Sequence, residues 1–184
     1  MQAVILASGP SLSDDDIEYV RQAFFAGRIG CVIAVSDVGL LKAPWATALA
    51  SHDSKWWYAH PEHAEFKGDK FCANGALGVK KFNHRPYSGI SGCNSGLYAM
   101  YVALKIYGAT KIVLLGFDLN NANGAHFFGE HKAVWNRRQL KNSTERDFIR
   151  HIKQFDSFCG CEVVNCTNDS ALKRFPFADL RDIL

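Results

Sequence analysis

Several short apolar runs with no polar alternation constrain this chain more than anything else in it. Gln2 to Ala7 (QAVILA), Gly30 to Ser36 (GCVIAVS) and Lys111 to Gly116 (KIVLLG) are continuous hydrophobic stretches of strand length. A strand with one wet face would alternate. A continuous run must be covered on both faces, which is the condition of a parallel sheet between helices. The intervening segments supply those helices. After the first run, Ser8-Gly9-Pro10-Ser11-Leu12 is a turn signal. Ser13 is an N-cap followed by Asp14, Asp15 and Asp16, and Ile17, Val20 and Phe24 keep helical spacing until Gly27. Strand, loop, helix, strand predicts an α/β class: a Rossmann-like, mostly parallel sheet with helices on both faces, in a single domain.

The spacing predicts strands near 2–7, 31–36, 46–51, 111–116 and 162–165, and helices near 14–26, 94–107 and 144–158. Lys70 to Cys72 and Val79 to Phe82 read as two more short strands, Asn83 to Gly92 as a polar connection broken by Pro86 and Gly89, and Ala178 to Leu184 as a short terminal helix. With 184 residues, 48% hydrophobic and 21% charged, the chain is globular rather than disordered. No apolar run approaches the roughly 18 to 20 residues of a membrane span. The start lacks a charged region before its apolar run, which predicts no secretory signal and a cytosolic protein. A net charge of +3 is too slight for a dedicated nucleic-acid binder. Six cysteines in apolar segments read as reduced thiols. Cys159-Gly-Cys161 with Cys166 resembles half a zinc site, but a second close pair is absent, so no metal ligand is assigned.

In open α/β sheets ligands bind beyond the carboxyl ends of the strands. Three loops qualify: Ser8 to Leu12, His52 to Lys55, and Asp118 to His131. In the first, Gly9 lets a phosphate approach the backbone, Pro10 stiffens the turn, and Ser8 and Ser11 offer hydroxyls; a plain turn before a capped helix fits equally. Neither a dinucleotide fingerprint nor a P-loop is present. In the second, Asp53 can hold a ribose hydroxyl or a metal and Trp56 can stack on a base. Alternatively, Asp53 caps a helix whose tryptophans pack on the core or a subunit neighbour. Asn94-Ser95-Gly96 opens a helix with small polar side chains suited to an anion or ribose, or to simple capping. His60 and His63 read as solvated surface histidines rather than ligands. Gly9, Ser11, Asp53, Ser95 and Asp118 are expected to face one cleft.

Read together, the pieces resemble a known family. A strand runs into Ser-Gly-Pro-Ser-Leu. About eighty residues later come Asn94-Ser95-Gly96-Leu97-Tyr98, Tyr107-Gly108-Ala109 and Lys111 to Asp118 (KIVLLGFD). This pattern resembles the bacterial sialyltransferases of glycosyltransferase family 42. It is also similar to the broader DUF115 group with its archaeal 6-hydroxymethylpterin diphosphokinases, and to small phage proteins of that type. The resemblance covers roughly residues 2 to 12 and 91 to 128, about a quarter of the chain. It implies a Rossmann-like domain over 1–184 that binds a nucleotide or nucleotide sugar, with a short lid-like loop near 119–141. Gly9, Pro10 and Ser11 would lie near phosphate or ribose, Ser95 and Gly96 on the nucleotide side of the cleft, and Asp118 near ribose or base. Ser8 stands where the sialyltransferases carry Asn, and the lid here holds no tyrosine pair. The implied activity is group transfer from a CMP-sugar-like donor to an acceptor the sequence does not identify. Alternatives are ATP-dependent diphosphate transfer with Mg²⁺ on Asp53 and Asp118, and a noncatalytic nucleotide-binding module, as a monomer or homo-oligomer. His126 and His131 are the candidate general bases, with His126 preferred because Phe127 and Phe128 can seat it.

Overall fold

The computed structural model describes residues 1–72, 85–86, 93–120, 122, 124, 126–129 and 145–184. Seven strands form one sheet: β1 (Gln2–Leu6), β2 (Cys31–Val35), β3 (Ala48–Ser51), β4 (Asp69–Cys72), β5 (Arg85–Pro86), β6 (Lys111–Leu115) and β7 (Glu162–Asn165). Their spatial order is β5-β4-β3-β2-β1-β6-β7, and every paired neighbour is parallel. β1 lies between β2 and β6, with Val4 opposite both Val32 and Val113. The predicted strands at 79–82 and residues 87–92 lie outside the described residues. The two-residue β5 falls in a stretch that reads as a loop. It is an edge strand, where a proline can sit because one side of its backbone has no ladder to serve.

The continuous apolar runs are buried as the parallel arrangement requires. β2 and β3 are buried along their whole length, and β1 and β6 at four of five positions. Alternate side chains serve two cores. Ala3, Ile5 and Ile33 join the buried face of α4 (Ser95–Lys105), including Leu97, Met100 and Val102, together with Phe155 and Phe175. Val4, Leu6 and Val32 join Ile17, Val20 and Ala23 of α1 (Asp14–Phe25), Val38 of α2 (Asp37–Leu41), and Trp56 and Trp57 of α3 (Ser54–Ala59). Helices therefore cover both faces. α5 (Glu145–Gln154) continues as a single 3-10 turn over Phe155–Ser157, and α6 (Leu180–Ile183) closes the described chain. Among the described residues no helix is long and apolar enough to cross a membrane.

Strand order reverses between β1 and β6. The chain moves outward from β1 to β5 and returns on the other side with β6 and β7, which makes the carboxyl ends of β1 and β6 the switch point where a ligand crevice is expected. α1 begins close by, because Ser13 accepts a bond from the Asp16 amide at 3.0 Å and donates to its carboxylate at 2.7 Å.

Candidate functional site

The loops after β1 and β6 are in very close contact. The Gly9 amide donates to the Gly116 carbonyl at 2.9 Å, and Leu12 donates back to Gly9 at 3.1 Å, which makes Pro10 the second residue of a β-turn. A Cβ on Gly9 would stand 1.8 Å from Asp118 Oδ2 and 2.4 Å from the Gly116 carbonyl oxygen. Gly116 has φ +72°, and a Cβ there would meet the Ala7 carbonyl oxygen at 2.2 Å. Both glycines are thus required by the crossing of two protein loops. Asp118 is buried. It accepts the Ser11 amide at 3.0 Å on Oδ1 and the Ser11 hydroxyl at 2.8 Å on Oδ2. Burial raises its pKa, and the Ser11 bonds only partly offset that.

Above this latch opens a cavity of 560 Å³, within the ~300 to 1,000 Å³ usual for small-molecule sites. Its lining comes from the carboxyl ends of four strands and the start of α4. Ala7, Ser8 and Gly9 follow β1, Ser36 and Asp37 follow β2, Ser51 to Ser54 close β3, and Gly116 and Phe117 follow β6. Cys93 to Gly96 line it at the amino end of α4, and Phe148, His151 and Phe155 line it from α5 and the turn that follows. Of the residues expected to share one cleft, Gly9, Asp53 and Ser95 line it. Ser11 and Asp118 do not, and neither does Pro10. The Ser11 and Asp118 polar atoms are turned on each other.

No family model, curated protein or solved structure matches the chain. The chemistry of the site therefore rests on its own geometry.

Ser8 places its hydroxyl 3.0 Å from Nδ1 of His126, and its carbonyl accepts the Phe127 amide at 3.0 Å. The imidazole stacks on Phe128 with centroids 4.9 Å apart and planes 4° apart. Phe127 packs into the α1-side core beneath the Lys42 ammonium, 4.8 Å from its centroid. His126 is thus seated at the end of β1 by both phenylalanines. His131 lies outside the described residues.

Asn94 caps α4: its Oδ1 accepts the Leu97 amide, while its own amide and Nδ2 both donate to Gln154 Oε1, all at 2.9 Å. Ser95 Oγ accepts the His52 amide at 3.1 Å. Gly96 brings α4 close to the sheet, since a Cβ would stand 2.7 Å from the Phe117 ring. Asp53 caps α3 by accepting the Lys55 amide at 2.8 Å. Trp56 borders the cavity, but only 1% of it is exposed. Its face stacks on His60 at 4.7 Å, so the base-stacking platform suggested by the sequence is already covered by a protein ring.

Two readings are corrected here. His60 and His63, expected at the surface, are each 3% exposed. His60 bridges the Asp37 carboxylate (Nε2 to Oδ1, 3.3 Å) and the Trp56 carbonyl (Nδ1, 3.0 Å), and Trp56 donates its indole N–H to Asp37 Oδ2 at 2.9 Å. The proline-led 3-10 turn over Pro61–Glu65 folds both histidines inward. The other correction concerns what the sequence reading passed over. Ser36, Asp37, Ser51 and His151 all line the cavity. A Ser-Asp pair directly after an apolar strand was the available signal for the first two, and the three-residue spacing of His151 from Phe148 was the signal for the last.

Proposed function

We propose that the protein is a nucleotide-dependent group transferase, most specifically a glycosyltransferase whose donor carries one bridging phosphate, as a CMP-sugar does. The observation that carries this reading is the Ser8–His126 pair on the wall of the switch-point cavity. A bond from Ser8 to Nδ1 fixes ring orientation and tautomer. When Nδ1–H donates to Ser8, the lone pair sits on Nε2, the form a general base needs. His126 then takes the proton of an acceptor hydroxyl as that oxygen bonds to the anomeric carbon. The bond from that carbon to the phosphate oxygen breaks, and its electron pair leaves with the nucleotide. The start of α4, lined by Ser95 and Gly96, offers a positive helix end to the phosphate.

The diphosphotransferase alternative asks Asp53 and Asp118 to hold Mg²⁺ together. Asp118 is committed to Ser11 and stands outside the cavity, so the residues do not fit that ion, and no step is drawn through it.

The test is a donor panel of CMP- and UDP-sugars with release of the nucleotide as readout. His126→Ala is expected to lose at least ~10²-fold in turnover with nearly unchanged nucleotide affinity. Full activity in that variant would remove the base assignment. A nucleotide that binds but is never consumed would favour the noncatalytic module. No affinity for any nucleotide would end the proposal.

A further inference from the structure

We infer that Phe127, pinned beneath the Lys42 ammonium, is the positioning residue that holds the His126 ring against Ser8. The inference deepens the base assignment proposed above and rests on it only for the catalytic consequence. Where the ring stands is measurable without substrate.

Ser8 makes two of the contacts that place the ring. Its hydroxyl meets Nδ1 of His126 and its carbonyl accepts the Phe127 amide, each at 3.0 Å. Both fall on one residue, so by themselves they leave a swivel about Ser8. The next contacts are internal. The Gly129 amide donates to the His126 carbonyl at 3.1 Å and closes a tight turn with Phe127 and Phe128 at its centre. The imidazole stacks on Phe128, which meets Phe127 edge-on with centroids 5.2 Å apart and planes 89° apart. These contacts brace the turn, but a braced turn still rotates as a whole. The contact off the Ser8 axis is the half-buried Phe127 ring, packed on the α1-side core.

Lys42 closes that seat. It follows α2, with its amide bonded to the Val38 carbonyl at 2.9 Å. Its side chain is only 20% exposed, and its ammonium stands 4.8 Å from the Phe127 centroid. An ammonium over a ring face attracts it, more strongly where water is excluded. Asp14, at the start of α1, pairs with the same ammonium but is 87% exposed, so it orients Lys42 more than it stabilises the fold. None of Asp14, Lys42 and Phe127 is among the described residues that line the cavity. Their effect on the reaction therefore passes through the seated ring. A base must stand within hydrogen-bond reach of the proton it takes, and a misplacement of ~1 Å caused from outside the site can cost about 10²-fold in rate.

The experiment is NMR of the imidazole of His126 in the substrate-free protein, with its signals assigned by their loss in His126→Gln. In the parent they should show one ring tautomer and an upfield ring-current shift from Phe128. Phe127→Ala should move them to the positions of a free histidine while the rest of the spectrum stays folded. Lys42→Ala should move them part of the way, and it keeps the test open if Phe127→Ala fails to fold. Lys42→Arg keeps a cation able to stack on the ring and should restore the parent signals. With a nucleotide sugar that the parent consumes, kcat of Phe127→Ala should fall by about 10²-fold with KM nearly unchanged. Unmoved His126 signals in either folded alanine variant would overturn the inference, whatever turnover does. Lys42→Arg behaving like Lys42→Ala would overturn it too. A displaced ring with turnover at the parent level would uphold the positioning of His126 and overturn its assignment as the base.

Discussion

Asp118 shows how far a single residue's role depends on what it faces. A carboxylate at the end of a central strand is where a ribose ligand is looked for, yet here both oxygens are taken by Ser11. Ser11→Ala removes the hydroxyl donor on Asp118 Oδ2 and leaves the backbone amide on Oδ1 in place, and is expected to cost about 1–3 kcal/mol. Because the pair lies outside the cavity, ligand affinity of the folded variant should be unchanged. Chemical denaturation and calorimetry on the same sample test both halves, and a large loss of affinity at full stability would return Asp118 to the binding site. The Ser-Gly-Pro-Ser-Leu and Gly-Phe-Asp motifs were legible in the sequence as two loops at one sheet end. That each completes the other was not, since residues 107 apart carry no local sign of contact.

Among the elements, those written as unbroken apolar runs or as capped helices were legible. β1, β2, β6, β7, α1 and α4 lie within a residue or two of their expected bounds, because burial on both faces and Ser13 or Asn94 caps are local signals. α2 was not legible. It has five residues, with Gly39 inside it, and it starts from a strained junction: Ser36 has φ 51° and ψ −123°. That region is costly for any residue with a Cβ, by about 1–3 kcal/mol. The turn is held by the Ser36 amide to Ala50, its carbonyl to Gly39, and its hydroxyl to Ser51, each 3.1 Å. Ser36→Val adds a branched side chain to that conformation and removes the hydroxyl bond, so it should destabilise by at least ~2 kcal/mol. Ser36→Gly trades that bond and some unfolded-state entropy for relief of strain and should stay within ~1 kcal/mol of the parent. Urea midpoints decide it: equal losses in both variants would mean that the backbone is not strained.

At the scale of the whole molecule, the Asp37–His60–Trp56 group joins the end of β2 to α3 and underlies the cavity, so its ionisation bears on both stability and site. Burial pushes the His60 pKa down. The Asp37 bond, the Trp56 carbonyl and the charges of Asp37 and Glu62 outweigh it and leave the pKa raised above 6.5. A histidine with a raised folded pKa contributes stability that is fully present below the unfolded value and lost as pH rises through the folded one. His63 has the opposite shift. Burial, with Lys70 and His60 nearby, lowers its pKa, so it costs stability as pH falls below the ordinary value. The two together should put maximum stability near neutrality, with His60 responsible for the alkaline shoulder. Asp37→Asn removes the charge that holds His60 up and leaves burial as its largest remaining influence. In that variant the His60 pKa, followed by NMR of the imidazole protons, should fall below the ordinary value. The alkaline decline in the urea midpoint should flatten, with an overall loss of about 1–3 kcal/mol. A His60 that titrates at or below its ordinary value in the parent protein would mean that desolvation wins and that the Asp37 pair stores no pH-dependent stability.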